Sequence, residues 1–494
     1  MLSLGLRFPE LLIWFPLLSG VICFIIRDEK ISKGWALLSS LITLGISVMS
    51  LINVNNAAMN GYTYGYQWLP SLGSSFTVAI DGAGRILTFL TAIAFPIIFA
   101  ATYKNNYKNA ASYYGLMLLT QCGLMGVFVS MDALLFYFFW ELALIPAYFL
   151  CSRWGGERRI QATFKFFVYT FTGSLLMLVG IISVYLQTPG TAAGADHSFS
   201  INAFYAVAQN MSDSQQNWLF WLFFIAFAIK MPIFPFHTWQ PDTYEQAPTS
   251  TTMVLSGVMV KMGLFAVIRW LLPVFPAAVI SNTNIVITLS VIGMIYASLI
   301  AIKQDDLKRF IAYSSIAHVG LMCAALFSRN EIGMEGVMIQ MFSHGLNIIG
   351  MWIVVDYIEQ RTGTRKISGL GGIAHKAPGL TILLVVIALA NIALPLTNAF
   401  VGEFMMFGGL FKYNIWFTVI AGLSIILAAV YTLNMIQRVF YGKDAPSVSI
   451  VDISFAQKIV LGALVVLIFF AGVYPKPFFY FAGDTVKNIL TRVK

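Results

Sequence analysis

The amino-acid sequence predicts an all-α polytopic membrane protein with about 14 transmembrane helices, which include two inverted five-helix repeats and two broken helices. Of its 494 residues, 59% are hydrophobic and only 10% are charged, whereas soluble proteins carry about 25% charged residues. Apolar runs of about 20 residues, long enough to cross a bilayer as helices, recur from end to end. No long stretch is polar enough for a separate soluble domain, so we expect one membrane domain over residues 1–494.

The apolar runs define the predicted spans. In chain order these cover 8–26, 34–53, 79–101, 112–130, 132–151, 161–186, 217–235, 252–274, 279–301, 308–327, 334–357, 379–411, 415–437 and 456–475. The first three spans would occupy residues 1–111, and the two repeats would occupy 112–274 and 279–437. Residues 438–494 would then hold the last span and a short tail.

Two of the spans contain prolines that should break them. The seventh ends in MPIFP at 231–235, and the twelfth contains LPLTN at 394–398. Proline removes a backbone hydrogen bond and clashes with the preceding turn. Such breaks are tolerated at membrane depth only where protein or water satisfies the freed groups. Breaks at matching places in two halves are typical of transporters built from inverted repeats.

The distribution of basic residues predicts the orientation. If the N-terminus is outside, most lysines and arginines fall in the loops that lie inside, whereas the long outer loops 54–78 and 187–216 contain none. Positive residues concentrate on the inner side of membrane proteins, so we expect both termini outside. The N-terminal hydrophobic run lacks a clear small-residue cleavage site, so we expect the first span to be retained rather than cleaved. The net charge of +9 is thereby explained without nucleic acid.

Four ionisable residues lie deep inside predicted spans: Glu141, Lys230, Lys261 and Glu403. A charged side chain at the centre of a bilayer costs about 2.5–3.5 kcal/mol on insertion scales. Such residues persist where they serve a proton or ion pathway, or where a structural ion pair ties two helices together. Lys230 and Glu403 lie beside the two breaks, and this coincidence favours the pathway.

Two histidines, His318 and His344, also lie within predicted spans. A single histidine in a membrane helix is often only a hydrogen-bonded helix contact, but histidine titrates near neutral pH. Together with the two lysines, these histidines would form a chain of titratable groups across the membrane. His237 directly follows the first break, where stabilising the loop explains it equally well.

Other signals argue against several kinds of site. No dinucleotide, phosphate-loop or haem attachment motif is present, so no cofactor is predicted in this chain. The four cysteines lie in or beside apolar segments without CxxC spacing, and no ligands cluster, so neither a disulfide nor a metal site is predicted. Arg85 and Lys165 lie at span ends, and we expect both to extend toward the membrane interface.

Several motifs resemble the antiporter-like subunits of respiratory complex I, the NADH–quinone oxidoreductase, and the subunit M group in particular. They cover essentially the whole chain: FWELALIP at 139–146, RWGG at 153–156, KFFVYT at 165–170, IKMP at 229–232, PFHTW at 235–239, APT at 247–249, VKMG at 260–263 and FVGEF at 400–404. The chain departs from the family where TWLPDAH is replaced by TWQPDTY at 238–244 and LPGT by LPLT at 394–397. Neither departure removes a buried charge.

The resemblance implies a proton-translocating subunit of an enzyme that couples NADH oxidation and quinone reduction, carried out elsewhere in the complex, to proton transfer. It implies that the proton path consists of Glu141, Lys230, Lys261, His318, His344 and Glu403. This chain would hold no redox centre, whereas partner subunits would carry FMN and iron–sulfur clusters and bind NADH and quinone. Its membrane neighbours would be L-type and N-type antiporter-like subunits, in a bacterial inner (plasma) membrane, with both termini periplasmic.

Two other functions fit the same residues. The chain could be a membrane subunit of a Na⁺/H⁺ (cation/proton) antiporter that works independently of electron transfer. It could also be a structural scaffold whose buried charges only tie helices together. Co-purification with flavin and iron–sulfur subunits separates complex I from the antiporter, and loss of pumping in an assembled Glu141 variant excludes the scaffold.

Overall fold

Long apolar helices dominate the computed structural model of the chain, which describes residues 7–53, 64–191, 194–443 and 450–493. The first half contains α1 (Phe8–Ile25), α2 (Glu29–Asn53), β1 (Tyr64–Leu69), β2 (Ser74–Val78), α3 (Gly82–Ala101), α4 (Ala110–Val129), α5 (Ala133–Trp154), α6 (Arg159–Tyr185), α7 (Ile201–Val207), α8 (Asp213–Lys230), α9 (Trp239–Gln246), α10 (Thr249–Val254), α11 (Lys261–Ala266) and α12 (Leu272–Val274). The second half contains α13 (Pro276–Lys303), α14 (Leu307–Phe327), α15 (Glu331–Thr362), α16 (Ile373–Lys376), α17 (Pro378–Asn391), α18 (Asn398–Tyr413), α19 (Ile415–Phe440), α20 (Phe455–Val473) and α21 (Lys476–Val493).

The predicted fold class is confirmed. Within the described residues, 12 helical segments are long and apolar enough to cross a membrane. They correspond to every predicted span except the seventh and the twelfth, which are the two spans expected to be broken. The structure interrupts both: α8 ends at Lys230 and α9 starts at Trp239, while α17 ends at Asn391 and α18 starts at Asn398.

Local hydrogen bonds satisfy part of the backbone that each break frees. At the first break, the amide of Ile233 donates to the carbonyl of Ala228 at 2.9 Å, and the indole Nε1 of Trp239 donates to the carbonyl of Ile229 at 3.0 Å. At the second break, the amide of Leu394 donates to the carbonyl of Leu389 at 3.1 Å. Part of the backbone at each break is thus hydrogen-bonded within the protein, as buried irregular backbone requires.

A third irregular helix was not predicted. Residues Thr249–Val274 form one continuous helical segment, but π-helical turns at Leu255–Met259 and Val267–Leu271 separate its α-helical parts. Isolated π-helical turns are rare and frequent at functional sites. The first of these turns lies immediately before Lys261, so the irregularity coincides with a predicted site residue.

Helix packing is compatible with the two predicted repeats. Helix α4 packs on α5 as α13 packs on α14, and α6 lies along α8 and α9 as α15 lies along α17 and α18. Each break falls in the fourth helix of its predicted five. The division of the chain into repeats at 112–274 and 279–437, and their inversion, stay predictions.

Two residues were predicted to extend from the ends of spans toward the membrane interface: Arg85 does not, and Lys165 has an ion-pair partner. Arg85 does not extend to an interface: it is only 4% exposed, and its guanidinium lies 5.1 Å from the ring of Phe481 in α21. The predicted C-terminal tail is in fact this helix, which packs against α3 and α15 and covers the arginine. Lys165 is half-exposed and bound to Asp242 at 2.8 Å.

Candidate functional site

The centre of the candidate site is a contact between Lys261 and His344. Lys261 has no exposed surface, and its Nζ lies 2.8 Å from Nδ1 of His344 on α15. The same ammonium donates to the carbonyl of Ser256 at 2.7 Å. That carbonyl is accessible because the π-helical turn directs the amide of Val260 to the carbonyl of Leu255 instead, whereas an α-helix would pair it with Ser256.

A second contact joins His318 to Glu403. Nδ1 of His318 on α14 lies 3.0 Å from Oε1 of Glu403, which lies in the second turn of α18 after the break. The same carboxylate oxygen accepts from Nε2 of Gln340 at 3.3 Å. The Nε2 of His318 faces the side-chain amide of Asn391, the last residue of α17, at 3.5 Å. Both ends of the second break therefore contribute a polar group to this histidine.

The two contacts lie next to each other. The ring centroids of His318 and His344 are 5.7 Å apart, and the hydroxyl of Ser315 lies 3.2 Å from Nε2 of His344. Ser315 precedes His318 by three residues on α14, so the two side chains are neighbours on one helix face. The structure thus brings Lys261, His344, His318 and Glu403 into one buried row.

One arrangement of protons satisfies all the hydrogen bonds of this row. When Lys261 is protonated, Nδ1 of His344 must accept, so its Nε2 carries the proton and donates to Ser315. His318 donates from Nδ1 to the carboxylate of Glu403 and accepts at Nε2 from Asn391. Both rings are neutral in this arrangement, and each has a side where a further proton can bind.

Glu141 and Lys230 lie apart from this row. Lys230 is 3% exposed, ends α8, and its Nζ has no hydrogen-bond partner; it lies 5.3 Å from the ring centroid of Trp140. Glu141 is half-buried, interacts with the hydroxyl of Ser174, and its Oε1 has no hydrogen-bond partner. The expected interacting pair is therefore two neighbouring charges that are not directly hydrogen-bonded.

The end of α8 lies directly against α11. A Cβ atom added at Gly263 would lie 2.8 Å from the carbonyl oxygen of Phe227 and 2.9 Å from the amide nitrogen of Met231. Only glycine permits this approach without a shift of backbone. The backbone following Lys230 therefore contacts α11 only two residues from Lys261.

A network of ion pairs, which sequence reasoning missed, lies at the predicted inner end of these helices. Asp242 on α9 binds Lys165 and Arg309 at 2.8 and 2.9 Å. We call the ion-pair network the set Arg158, Lys165, Asp242, Glu245, Asp306, Lys308, Arg309, Glu359 and Arg365. It joins α6 and α9 to α14 and α15, and the sequence did not predict any of these pairings.

A polar cavity of about 570 Å³ adjoins the ion-pair network. Its lining includes Glu245, Thr249, Lys308, Glu359 and Arg365. Charged side chains of both signs line it, so it is suited to water and protons rather than to an apolar ligand.

Among the described residues, no group of three or more His, Cys, Asp or Glu side chains could hold a metal ion. The four cysteines are buried and free. The carboxylate, ammonium, imidazole and hydroxyl groups of the site can hold protons and pass them to one another.

Known proteins are similar to this chain in sequence and in fold. The family described as "NADH:quinone oxidoreductase/Mrp antiporter, TM" matches residues 130–428. NADH-quinone oxidoreductase subunit M of Rickettsia prowazekii is 36% identical over 99% of this chain and 100% of its own length. F(420)H(2) dehydrogenase subunit M of Methanosarcina mazei is 35% identical over 95% of each chain.

Two solved structures share the fold. A chain of respiratory complex I from Thermus thermophilus with bound NADH superposes with a TM-score of 0.90 at 25% identity, covering 98% of this chain and 100% of that one. A chain of the Mrp complex from Dietzia sp. superposes with a TM-score of 0.83 at 19% identity, covering 98% of this chain and 52% of that one. The second likeness is one of fold alone.

Proposed function

The chain belongs to the family of membrane subunits shared by NADH:quinone oxidoreductases and Mrp antiporters, and on that premise we propose that it carries protons as the M-type antiporter-like subunit of a respiratory complex I. The observation that carries the proposal is the buried row Lys261, His344, His318 and Glu403, in which hydrogen bonds of 2.8 and 3.0 Å join the titratable groups in pairs. A scaffold needs only paired charges. A continuous row of groups that can each gain and lose a proton is what transport needs.

The row supports a stepwise transfer. Lys261 gives a proton to Nδ1 of His344 along their 2.8 Å contact, and His344 releases the proton on its Nε2 to the hydroxyl of Ser315. Ser315 passes a proton to His318, and His318 passes one to the carboxylate of Glu403. Each step moves one proton between neighbouring groups, so one positive charge leaves Lys261 and one negative charge is neutralised at Glu403.

Glu141 and Lys230 would set the timing of this transfer. Two unit charges about 4 Å apart interact by about 4 kcal/mol at an effective dielectric of about 20, whereas moving one charge against about 100 mV requires about 2.3 kcal/mol. Closing the separation between Glu141 and Lys230 therefore supplies enough energy to hold a proton on Lys230. Reopening it lets desolvation release that proton toward Lys261.

The remaining roles follow from this assignment. NADH and quinone would bind to partner subunits, which would carry FMN and iron–sulfur clusters, and L-type and N-type antiporter-like subunits would be membrane neighbours. The chain would lie in the bacterial inner (plasma) membrane with both termini periplasmic, because the basic loops then face the cytoplasm. The two five-helix repeats at 112–274 and 279–437 would place one broken helix on each half of the path.

Purification in a mild detergent tests the assignment to complex I. We expect flavin and iron–sulfur subunits, together with NADH:quinone reductase activity, to co-purify with this chain. A stable complex without redox subunits, whose proton movement depends on added Na⁺, would instead establish the second candidate, a Na⁺/H⁺ antiporter subunit. The family description covers both kinds of complex, so this experiment decides between them.

A further inference from the structure

We propose that Asp81 and Arg269 form an anchor that sets the rotation of α11 and thereby positions Lys261 against His344. The proposal rests on the proposed function, since it concerns how the proton-carrying side chain of Lys261 is held. Asp81 and Arg269 act on the proton row through α11, so they are positioning residues rather than members of the row. Neither was a predicted site residue.

Helix α11 lies between two interruptions of the helical hydrogen-bond pattern. It spans only Lys261–Ala266, with π-helical turns at Leu255–Met259 before it and at Val267–Leu271 after it. A π-helical turn contains one residue more than an α-helical turn. Moving that extra residue along the chain turns the adjoining helix by about 100°, because an α-helix has 3.6 residues per turn. Side-chain contacts therefore have to fix the rotation of α11.

The face of α11 that carries Lys261 also carries Phe265. The two residues are four positions apart in the α-helical part, so their side chains are neighbours. The ring of Phe265 lies 4.5 Å from the guanidinium of Arg269, and its centroid lies 5.3 Å from that of Phe128 on α4. A rotation of α11 that took Phe265 out of these contacts would also take Lys261 out of its contact with His344.

Arg269 is in turn held by three other elements. Its guanidinium donates to the carbonyl oxygens of Phe128 at 3.4 Å and Ser130 at 3.2 Å, at the end of α4. It also contacts the carboxylate of Asp81, the residue that precedes α3. The hydroxyl of Tyr205 on α7 donates to the main-chain carbonyl of Arg269 at 2.8 Å. The second π-helical turn is thus tied to α3, α4 and α7.

Two positions in the sequence make these contacts possible. A Cβ atom added at Gly84 would lie 2.6 Å from the carbonyl oxygen of Phe128 and 3.0 Å from Oδ1 of Asp81, which are two of the groups that Arg269 contacts. Pro273 follows Arg269 by four residues and has no amide hydrogen to donate to its carbonyl. That carbonyl is therefore left for the tyrosine hydroxyl on α7.

The carboxylate of Asp81 is what keeps the guanidinium in place. Arg269 is only 3% exposed, and a buried charge that loses its partner is strongly destabilised. Without the negative charge of Asp81, Arg269 gains by turning out of its buried position, and its contact with Phe265 is then lost. A planar guanidinium can stack on a ring and bind several oxygens at once, whereas an ammonium cannot.

The test variants remove the charge or the shape of the anchor. Asp81→Asn removes the charge but keeps an oxygen that can accept from the amide of Gly84, which Asp81 binds at 2.8 Å. Arg269→Met removes the guanidinium and keeps an unbranched side chain. Arg269→Lys is the conservative variant, because it keeps the charge without the planar guanidinium.

Arg85→Met is the matched control. Arg85 is also a buried arginine, only 4% exposed, and it also interacts electrostatically with Asp81. Its guanidinium lies over the ring of Phe481 on α21 rather than over a residue of α11. Loss of Arg85 therefore disturbs the same region of the protein without removing the contact that holds α11.

The complex carrying each variant is reconstituted into vesicles, and the protons transported per quinone reduced are measured as a function of pH. We expect Asp81→Asn and Arg269→Met to lose most of the transport, Arg269→Lys to keep part of it, and Arg85→Met to transport like the wild type. Uncoupled quinone reduction should be unchanged in all four, because the redox centres are elsewhere.

The pH dependence distinguishes a positioning role from a merely structural one. In Asp81→Asn, the pH at which the remaining transport is half-maximal should shift by about 1–2 units, because Lys261 loses its charge-assisted hydrogen bond to His344. A merely structural role would lower the yield of the complex and leave both this pH and the transport per complex unchanged. Asp81→Asn alone decides the question if Arg269→Met does not assemble.

Lys261→Arg in the same assay separates the anchor from the proposed function. If Asp81→Asn and Arg269→Met transport protons like the wild type while Lys261→Arg does not, the anchor is wrong and the proposed function stands. If Lys261→Arg also transports like the wild type, the proposed function is wrong and the anchor falls with it. Loss of transport in Arg85→Met equal to that in Arg269→Met would likewise overturn the anchor.

Discussion

Replacement of Lys261 separates a proton carrier from a fixed positive charge. Lys261→Arg keeps a permanent charge that cannot be lost at any relevant pH, and Lys261→Met keeps an unbranched side chain of similar shape but removes the charge. A structural tie between helices tolerates the arginine, whereas a relay tolerates neither variant. We therefore expect both variants to assemble and both to lose proton transport.

The structure gives the size of the energetic changes. The ammonium of Lys261 makes two charge-assisted hydrogen bonds, to Ser256 and His344, each of about 1.5–3 kcal/mol. Methionine forfeits roughly 3–6 kcal/mol of these bonds but also avoids the several kcal/mol needed to bury an ammonium. The two terms nearly cancel, so Lys261→Met should change stability little.

The Lys261→Arg substitution affects stability through the larger volume of the side chain rather than through its charge. Lys261 has no exposed surface, and an enlarged side chain in a well-packed interior costs about 1–3 kcal/mol. A loss of this size lowers the yield of the complex without preventing assembly. The yield of complex and uncoupled quinone reduction therefore control for steric damage.

The assay is proton uptake by vesicles that contain the reconstituted complex, normalised to NADH oxidised. We expect little or no uptake through this chain in either variant, with uncoupled quinone reduction close to wild type. Lys230→Arg should behave in the same way. Arginine variants at both positions that transport protons like the wild type would refute the relay.

Three further outcomes are expected. Glu403→Gln can still pair with His318 and Gln340 but cannot accept the proton, so the complex should assemble and proton uptake should fall; normal uptake would remove Glu403 from the path. Arg309→Met removes one cationic partner from Asp242 and one from Glu245, and both carboxylates keep at least one other cation. The free energy of unfolding should therefore fall by about 1–2 kcal/mol, measured as thermal unfolding of the complex. Burial would raise the pKa of Asp452, but hydrogen bonds from backbone amides at the start of α17 and from Lys458 hold it below its usual range. Its stabilisation is therefore present above about pH 4 and lost as pH falls through the lower folded-state pKa, so Asp452→Asn should melt earlier than wild type at pH 7, and the difference should shrink as the pH falls below about 4.

The sequence predicted the parts of this fold that leave a local signal. Apolar runs located the spans, and Pro232 and Pro395 located both breaks to within a few residues. The buried charges were found because a charge inside an apolar run is conspicuous whatever its partner. The π-helical turn before Lys261 was missed because residues 255–259 contain no proline, and its apolar sequence resembles that of a regular helix.

Long-range contacts were not predictable in the same way. Asp242 and Arg309 are 67 residues apart in sequence, so neither residue identifies the other as a partner. Gln340 and Asn391 escaped notice because polar uncharged residues occur in many membrane helices. The helix α21 could have been found, since Phe478, Ala482, Val486 and Ile489 repeat at helical spacing and are buried.

The most direct test of proton transfer through this chain is the number of protons transported per NADH oxidised in vesicles carrying Glu141→Gln. Glu141 is half-buried beside Trp140 and has a carboxylate oxygen without a partner, so the substitution leaves packing intact while it removes the charge that acts on Lys230. The account predicts an assembled complex with normal uncoupled quinone reduction and a sharply lower proton yield, with Glu141→Asp milder. A near-normal proton yield in the glutamine variant would contradict it.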